Sequence, residues 1–235
     1  MGRMSTQYES LPRPDVYTEA FAVPAPAEPP GRRVWPRQLG VFVRLVPQPA
    51  VAEGEPPVAS PPEPVRELAS GQFGLVPPWV KSASDAKLRS TKLVALRSET
   101  VTTSNNVRNA WLKGQRCVVP MAAFHEDDWR SGKAVPTRIA RLDGQPMGAA
   151  GVWECWTGAD GAQIVSFALL TVNANSHALM HRYQQPGAEK RMPVILNEGA
   201  YGAWLSAPVA KAGEFMRAYA AQLLSANPIT GKAAR

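Results

Sequence analysis

Cysteine and histidine are scarce in this chain of 235 residues, which contains two cysteines and three histidines. Cys117 and Cys155 are too few for a disulfide framework, and such sparse cysteine usage is typical of a reducing intracellular compartment. A metal site needs His, Cys or carboxylate ligands clustered at set spacings, and His125, His177 and His181 form no such cluster with the cysteines in the sequence. We therefore expect neither a metal nor another cofactor.

Long apolar runs and a secretory leader are also absent. No run approaches the roughly 20 apolar residues that span a bilayer, and residues 1–8 lack the apolar centre of a signal peptide. These absences predict a soluble, cytoplasmic protein. The sequence has neither a glycine-rich phosphate-binding loop nor a Gly-x-Ser-x-Gly elbow, so the common nucleotide-binding and hydrolase classes lack support.

Positive charge is concentrated in one segment. The chain has a net charge of +7 at pH 7, and most of the excess lies in 71–120, where eight bases accompany two acids, Asp85 and Glu99. The bases are Lys81, Lys87, Arg89, Lys92, Arg97, Arg108, Lys113 and Arg116. A localised basic segment suits a protein that binds the phosphate backbone of nucleic acid, because each neutralised phosphate releases condensed counterions. On charge alone, an ordinary basic surface explains the segment equally well.

The composition indicates one globular unit. Hydrophobic residues make up 45% and charged residues 19% of the chain, and the length suits a single domain over 1–235. The proline-rich stretch 47–66 is interpreted as a long loop, because proline lacks an amide donor and fixes φ. A linker between domains is less suitable there, since neither flank is large enough to fold alone.

The order of predicted elements gives the fold class. β-rich runs and turn residues predict strands at 39–46, 71–76, 116–119, 137–142, 146–153, 163–172 and 192–196. Helices are predicted at 104–114, capped by Ser104, at 175–182, and within 199–224. The strands of 137–172 are interpreted as an antiparallel meander. Because there is no βαβ alternation, the predicted class is α+β, with a mainly antiparallel, curled, barrel-like sheet and short peripheral helices.

Five segments occur in an order that is more specific than any one of them. They are Phe-Gly-Leu-Val-Pro-Pro-Trp-Val-Lys at 73–81, Arg-Ser-Glu-Thr at 97–100, Arg-Cys-Val-Val-Pro leading to Phe-His-Glu within 116–126, Ala-Gly-Val-Trp-Glu at 150–154, and Arg-Met-Pro-Val-Ile-Leu at 191–196. Together they resemble the SOS-response-associated peptidase family, the abasic-site processing proteins, over nearly the whole chain. The resemblance implies that family's fold, a partner that is single-stranded or abasic DNA, a monomer, and association with the nucleoid when DNA is bound.

The resemblance also implies a specific chemistry. In that family a cysteine directly after the initiator methionine becomes the mature N-terminus, and its α-amine and thiol trap the aldehyde of a ring-opened abasic site as a thiazolidine. An α-amine with a pKa of about 7.7 to 8.0 is substantially nucleophilic at neutral pH, and a thiol is the best side-chain nucleophile to close the ring. An asparagine, a glutamate and a histidine complete the family site.

This sequence departs from three of those four positions. The family start resembles 4–8 and places Ser5 at the cysteine position, behind an N-terminal extension over 1–4. Ala95 replaces the asparagine and Gln184 replaces the histidine, so only Glu126 is kept. His181, three residues before Gln184, is an alternative if it lies on the same helical face.

The true start of the mature chain decides what amine chemistry remains. An amine at Gly2 would lie about 10 Å from the family position, because three extended residues span that distance. Translation from Met4 would instead leave the α-amine of Ser5, which can form an imine. Its hydroxyl is a poor nucleophile without an adjacent base, so a stable sulfur-containing ring is excluded.

The residues that match the family's DNA-binding surface are better kept than its reactive group. Arg97 and Ser98 match phosphate-holding residues, while Phe73, Pro78 and Trp79 match the wall against which DNA packs. Lys81 and Arg191 are added as cationic contacts near these motifs. Aromatic rings stack on unpaired bases, and arginine makes charge-assisted contacts with phosphate.

Several residues in the matching segments also have an alternative role in the structure of the protein. Phe73 and Trp79 suit a hydrophobic core, and Arg97 can pair with Glu99 or another acid. Glu126 precedes two aspartates and suits a solvated acidic turn. Cys117 suits an inert core position, and Glu154 a structural one.

Three hypotheses follow from the sequence. The first is a binder of single-stranded or abasic DNA whose covalent site is degenerate. The second is an abasic-site processing enzyme that acts through an N-terminal amine, with Glu126 as the acid or base. The third is an interaction module that does not bind DNA.

Overall fold

The computed structural model describes residues 7–46 and 64–229. The predicted extension 1–4, Ser5, and the predicted loop 47–66 apart from its last three residues therefore lie outside the described residues. The strands are β1 (Tyr8–Glu9), β2 (Arg33–Val34), β3 (Leu39–Leu45), β4 (Arg66–Phe73), β5 (Ala95–Arg97), β6 (Arg116–Met121), β7 (Ala123–Asp128), β8 (Val135–Arg141), β9 (Met147–Thr157), β10 (Gln163–Asn173), β11 (Arg191–Pro193), β12 (Ile195–Leu196) and β13 (Leu224–Pro228). The helices are α1 (Asp15–Phe21), α2 (Ala83–Ser90), α3 (Arg108–Leu112), α4 (Tyr201–Ser206) and α5 (Val209–Ala212).

Five strands close into a barrel. β10 pairs with β4, β4 with β3, β3 with β6, β6 with β9, and β9 pairs back with β10. The short strands β5 and β11 attach to β10, and β12 attaches to β9. All of these pairs are antiparallel except those that β10 makes with β4 and β5. Closure satisfies the backbone groups that an open sheet leaves at its edges.

An aromatic cluster fills the core of the barrel and anchors the start of the described chain. Phe167 packs against Phe42 and Phe73 with ring centroids 5.1 and 5.4 Å apart, and Tyr8 meets Phe73 edge-on at 5.2 Å. Gly40 is needed beside them, because a Cβ there would lie 2.5 Å from the hydroxyl of Tyr8. This packing holds β1, the element that follows the N-terminal residues, against the barrel.

The second sheet carries β1 and Glu126. Its strand order is β13-β8-β7-β1-β2, and every pair in it is antiparallel. His125 Nε2 lies 3.2 Å from Glu9 Oε1, and Arg138 Nε donates to Glu9 Oε2 at 2.9 Å. The contact with His125, followed by that with Arg138, lowers the pKa of Glu9 to about 2 despite the opposing effect of burial. One buried carboxylate thus ties the two-residue strand β1 to β7 and β8.

The predicted fold class is confirmed, as an α+β fold with a barrel of mostly antiparallel strands and short helices. The predicted meander is half right. β9 and β10 pair as a hairpin, but β8 pairs with β7 and β13 in the second sheet. One cluster of buried side chains runs from Tyr8 to Leu224, and the single domain over 1–235 stays a prediction.

Three predicted boundaries are wrong, each for a local reason. The strand predicted at 71–76 ends at Phe73, because Gly74 takes a φ of 114° and lies so close to Ser90 that a Cβ would meet its carbonyl oxygen. The helix predicted at 175–182 is only a 3-10 turn at Met180–Arg182, since His177 Nδ1 accepts the N–H groups of residues 179 and 180. The helix predicted at 104–114 is limited to α3, and Ser104 does not cap it.

Candidate functional site

Glu126 lies on β7, opposite Thr137 of β8, and its side chain is 2% exposed. The alternative of a solvated acidic turn is therefore wrong. The acidic residues 126–128 are part of the antiparallel strand β7, and Glu126 is buried. Side chains alternate along a strand, so Glu126 shares a face with the core residue Phe124, whereas His125 faces the opposite side. The buried carboxylate is thus separate from the Glu9 cluster.

Gln184, at the position where the resemblance implies a histidine, is a buried structural residue. Its Nε2 donates to the carbonyl of Arg191 at 2.6 Å, and its Oε1 accepts the N–H of Arg191 at 3.0 Å. Its own N–H donates at 2.8 Å to the carbonyl of Asp127, the neighbour of Glu126. Gln184 therefore lies beside the residue that follows Glu126, and both ends of its side-chain amide hold Arg191.

Arg191 and Arg97 belong to one ion-pair network beside Gln184. Arg97 Nη1 lies 2.6 Å from Glu189 Oε2, and Arg191 Nη1 donates to Glu189 Oε1 at 2.9 Å. Arg191 also makes a bidentate contact with Glu99, at 2.9 and 2.8 Å. The hydrogen bond from Arg191 lowers the pKa of Glu189, an effect that burial opposes. The side chain of Arg97 is 49% exposed, whereas that of Arg191 is 7% exposed.

Ala95 and Arg97 lie on β5, which runs parallel to β10 with Ala95 opposite Leu169. The two side chains share one face of the strand, because they are two residues apart. Alanine has no polar side-chain atom, so a hydrogen-bonding role at that position is lost. Ser98 follows at the start of a 3-10 turn, Ser98–Thr100, and is half-buried.

Pro78 and Trp79 border a cavity of about 750 Å³. The opposite wall consists of Asn105 and Asn106, from the segment before α3, together with Arg108, Asn109 and Leu112. Trp79 is 41% exposed, and its Nε1 donates to the carbonyl of Asn105 at 3.1 Å. The core alternative for Trp79 is therefore wrong. We name this feature the Trp79 cavity.

Two further cations lie close to Trp79 in space or in sequence. The guanidinium of Arg89, on α2, lies 4.6 Å from the centroid of the Trp79 ring and also pairs with Asp85. Lys81 is exposed two residues after Trp79. The Trp79 cavity and Arg97 are joined by the chain segment 98–105, whose turns are closed by backbone hydrogen bonds such as Ser104 N–H to the carbonyl of Thr100.

Two predicted DNA contacts are contradicted. Phe73 is 2% exposed and packs against Tyr8 and Phe167, so it belongs to the core and lines no surface. Arg191 is buried and its guanidinium is occupied by Glu99, Glu189 and Thr171. Both residues match the resemblance in sequence, but they support the fold instead of meeting a ligand.

The remaining candidates have mainly structural environments. His181 is exposed, and its Nδ1 contacts the carbonyl of His177 in its own turn, so nothing in its position supports a substitution for the predicted histidine. Burial raises the pKa of the Cys117 thiol well above its ordinary value, as expected for an inert core position. Glu154 is also buried, and burial raises its pKa. Within residues 7–46 and 64–229, no group of His, Cys, Asp or Glu side chains is arranged to hold a metal ion.

A different cavity of about 500 Å³ lies between α1 and β8 and contains none of the predicted site residues. Its arginines are already engaged, Arg138 with Glu9 and Arg141 with Asp143 and Glu198. Because its cations are neutralised within the protein, it is a poorer candidate for an anionic ligand than the Trp79 cavity.

Several residues of the site were not found from the sequence. Glu189 as the partner of Arg97 depends on a contact between distant segments, which no local pattern shows. Asn105, Asn106 and Asn109 lie within the predicted helix 104–114, and asparagine is common in turns, so the sequence gives no specific signal for a site there.

The fold and the positions of the site residues together describe the architecture of this protein. The chain is a closed β-barrel protein with a second, smaller sheet, a buried carboxylate, Glu126, on that second sheet, and a cavity lined by Trp79 and Arg108. Within the described ranges, every helix is too short or too polar to cross a membrane.

The chain belongs to the SOS response associated peptidase (SRAP) family, whose sequence model matches residues 5–233. It is 29% identical over 142 residues to the abasic site processing protein YoaM of Bacillus subtilis (strain 168), an alignment that covers 59% of this chain and 56% of YoaM. It is 27% identical over 160 residues to the abasic site processing protein HMCES of Gallus gallus, covering 60% of this chain and 45% of HMCES. The aligned part thus spans about half the length of these two relatives.

Solved structures agree with the fold. A crystal structure of a protein from Bordetella bronchiseptica superposes with a TM-score of 0.83 at 38% identity, covering 96% of this chain and 99% of that one. A crystal structure of a protein from Bacteroides thetaiotaomicron gives a TM-score of 0.63 at 24% identity and covers 70% of each chain. The second likeness concerns the fold alone.

Proposed function

We propose that this protein binds single-stranded or abasic DNA without forming a durable covalent bond to it. The family and the two relatives named as abasic site processing proteins support DNA carrying abasic sites as the ligand. The observation that carries the proposal is the pairing of two exposed features. These are the half-exposed guanidinium of Arg97 beside the Glu126–Gln184 junction, and the Trp79 cavity at the other end of segment 98–105.

The proposed loss of covalent chemistry follows from the residue types. Ser5 has only a hydroxyl to close a ring on an imine, and the sequence offers no thiol near the N-terminus. Gln184 cannot transfer a proton at neutral pH, and its amide is already engaged by Arg191. Of the four family positions, Glu126 alone retains an acid or base.

The proposed binding mode uses the exposed members of the site. A phosphate would displace Glu189 from Arg97, and such an exchange is feasible because an exposed ion pair contributes only about 0 to 1 kcal/mol. An unpaired base would stack on Trp79, which its hydrogen bond to Asn105 holds in place. Lys81 and Ser98 would add phosphate contacts.

The experiment compares protein started at Met1 with protein started at Met4. Each is incubated with an abasic single strand and an intact one, with and without borohydride, and then resolved under denaturing conditions. We expect salt-sensitive binding by both proteins and no adduct in any lane. An adduct that survives denaturation without borohydride would contradict the proposal. Mass spectrometry of the mature N-terminus establishes which form is being tested.

A second function, imine chemistry at an N-terminal Ser5, is favoured by the position of β1. Tyr8 lies opposite Phe124, two residues from Glu126 on β7. Three residues of extended chain reach about 10 Å, so covalent geometry allows an amine at Ser5 to approach Glu126. Adducts that form only with borohydride, and only in the protein started at Met4, would support this function over the first.

A non-DNA interaction module is the remaining alternative. DNA binding that depends on phosphate contacts weakens with salt, with a logarithmic slope of about −0.7 per contact for single strands. Weak binding that does not change between low and moderate salt would favour the interaction module.

A further inference from the structure

Three asparagines line the Trp79 cavity, and no described residue forms a hydrogen bond with their side-chain amides. Among the described residues, the side chains of Asn105, Asn106 and Asn109 make no hydrogen bond, and Asn105 contributes only its backbone carbonyl to Trp79. Each amide presents two N–H donors and a carbonyl acceptor. Three asparagines along one cavity therefore bring donors and acceptors that have no partner in the described part of the chain.

Amides are among the side chains that form hydrogen bonds with the edges of nucleobases. An Asn or Gln amide pairs in a bidentate way with a base edge that offers a donor next to an acceptor, as adenine does. Unpaired bases are recognised by this kind of contact combined with stacking on an aromatic ring. Trp79 borders the same cavity as the amides and is 41% exposed, so a base lying on the indole would have its edge within the amide wall.

The indole is also preorganised for stacking. Its Nε1 is fixed by the carbonyl of Asn105, and the guanidinium of Arg89 covers one face at 4.6 Å. Asp85 holds that guanidinium from the other side at 2.8 Å. Because the ring is held at its edge and on one face, it loses little conformational freedom when a base arrives.

Arg108 supplies a charge for the phosphate of the same nucleotide. It lies on α3 and lines the cavity between Asn106 and Asn109, and it has no acidic partner among the described residues. Arg89 and Arg97, by contrast, are both paired with acids. An unpaired, exposed arginine beside an aromatic and amide-rich cavity suits a nucleotide better than an uncharged polar ligand.

We propose that the Trp79 cavity is a base-discriminating subsite that takes one unpaired nucleotide of a DNA strand, with Asn106 and Asn109 reading the base edge and Arg108 holding its phosphate. The inference rests on the proposed function for its ligand. It goes beyond that function, because it predicts a preference for particular bases next to the lesion. The volume of about 750 Å³ is sufficient for a whole nucleotide and lies within the usual range of ligand sites.

The test measures fluorescence anisotropy with labelled 12-mers of dT, dA and dC at one salt concentration. For the wild type, we expect affinities for the best and worst homopolymer to differ by about tenfold, the size of a bidentate amide contact. In the double variant Asn106→Ala/Asn109→Ala the ratio should approach one, while the affinity for the worst homopolymer stays within about twofold. Arg108→Ala should instead weaken binding to all three strands by a similar factor.

Asn227→Ala, an exposed asparagine on β13, is the matched control and should leave the ratio unchanged. Thermal melting of each variant separates loss of the subsite from loss of the fold. A wild type that binds all homopolymers equally, or a double variant that keeps the full ratio, would overturn the subsite while leaving the proposed DNA binding intact. Absence of any salt-dependent binding by the wild type would reject the proposed function itself.

Competition with nucleoside monophosphates distinguishes a strand from a free nucleotide. Because a strand adds the contact at Arg97, we expect monophosphates to displace the preferred 12-mer only at concentrations at least a hundredfold above that of the unlabelled 12-mer. Displacement by a monophosphate at equal concentration would show a free-nucleotide site and would overturn the assignment to a DNA strand.

Discussion

The junction around Glu126 and the Trp79 cavity differ in how their polar groups are used. At the junction, the amide of Gln184 binds the backbone of Arg191, and the partly exposed acids Glu99 and Glu189 bind its buried guanidinium. At the cavity, the side chains of the three asparagines and of Arg108 make no hydrogen bond or ion pair with other described residues. The polar groups around Arg191 are thus satisfied within the protein, whereas those along the cavity have no partner among the described residues.

Loss of the Gln184 amide should have the largest effect on the junction. Gln184→Ala leaves the N–H and the carbonyl of Arg191 buried without partners, and it should destabilise the protein by roughly 2 to 4 kcal/mol. Gln185→Ala is the matched control, because that neighbouring side chain is exposed. Urea unfolding measures both. Equal midpoints for the two variants would show that the junction is not a stabilising network.

The Glu9 cluster should give the next largest effect, and one that depends on pH. Glu9→Gln removes the carboxylate that joins β1 to His125 and Arg138, and it should cost about 2 kcal/mol at pH 7. Because the folded state lowers the pKa of Glu9 from 4.5 to about 2, the stabilisation is complete above pH 4.5 and is lost as the pH falls towards 2.

Unfolding free energies of the wild type and of Glu9→Gln should therefore converge between pH 4.5 and 2. Glu19→Gln, at an exposed position on α1, controls for the general effect of removing one negative charge. A difference between the wild type and Glu9→Gln that is constant over this pH range would disprove the linkage.

The sequence predicted the positions of strongly β-rich strands better than it predicted which strands pair with one another. The strands around Phe42, Cys117 and Phe167 formed as expected, because their runs of apolar residues require burial on a sheet. The partner strands were not predictable in the same way. β8 joins the second sheet through pairing with β7 and β13, and strand pairing between distant segments leaves little trace in a single sequence.

The sequence predicted the residue types of the candidate site, but it predicted only some of their positions as exposed or buried. Trp79 is exposed as the DNA-binding prediction requires, whereas Phe73, from the same motif, is in the core. Both are aromatic residues in a proline-rich segment, and only the tertiary packing on Phe167 separates them. Arg191 was assigned to DNA for its charge, but its partners Glu99 and Glu189 bury that charge in the protein.

The proposed phosphate contact outside the Trp79 cavity depends on Arg97. Arg97→Ala should weaken binding to a single strand by about fivefold to tenfold and reduce the salt slope by roughly 0.7, because one phosphate contact is lost. Arg217→Ala removes an equal charge from an exposed position outside both regions and serves as the control. Unchanged affinity and slope in Arg97→Ala would remove Arg97 from the binding surface.

Glu189 should give the smallest effect, because its carboxylate contacts both the buried Arg191 and the exposed Arg97. Its carboxylate holds Arg191 at the junction and occupies Arg97 at the surface. Glu189→Ala should release Arg97 and tighten binding by about twofold, since the exposed pair contributes no more than about 1 kcal/mol. Stability should fall only slightly, because Arg191 keeps its bidentate contact with Glu99.

Removal of any acid increases the attraction of a basic protein for DNA, so Glu214→Ala, at an exposed position, measures that general contribution. The decisive comparison is the double variant Arg97→Ala/Glu189→Ala. If Glu189 acts by occupying Arg97, the gain in affinity disappears when Arg97 is absent, and the two substitutions are not additive. If the double variant keeps the gain in DNA affinity, Glu189 repels DNA directly. Its negative charge would then weaken binding, and competition with phosphate for the guanidinium of Arg97 would not.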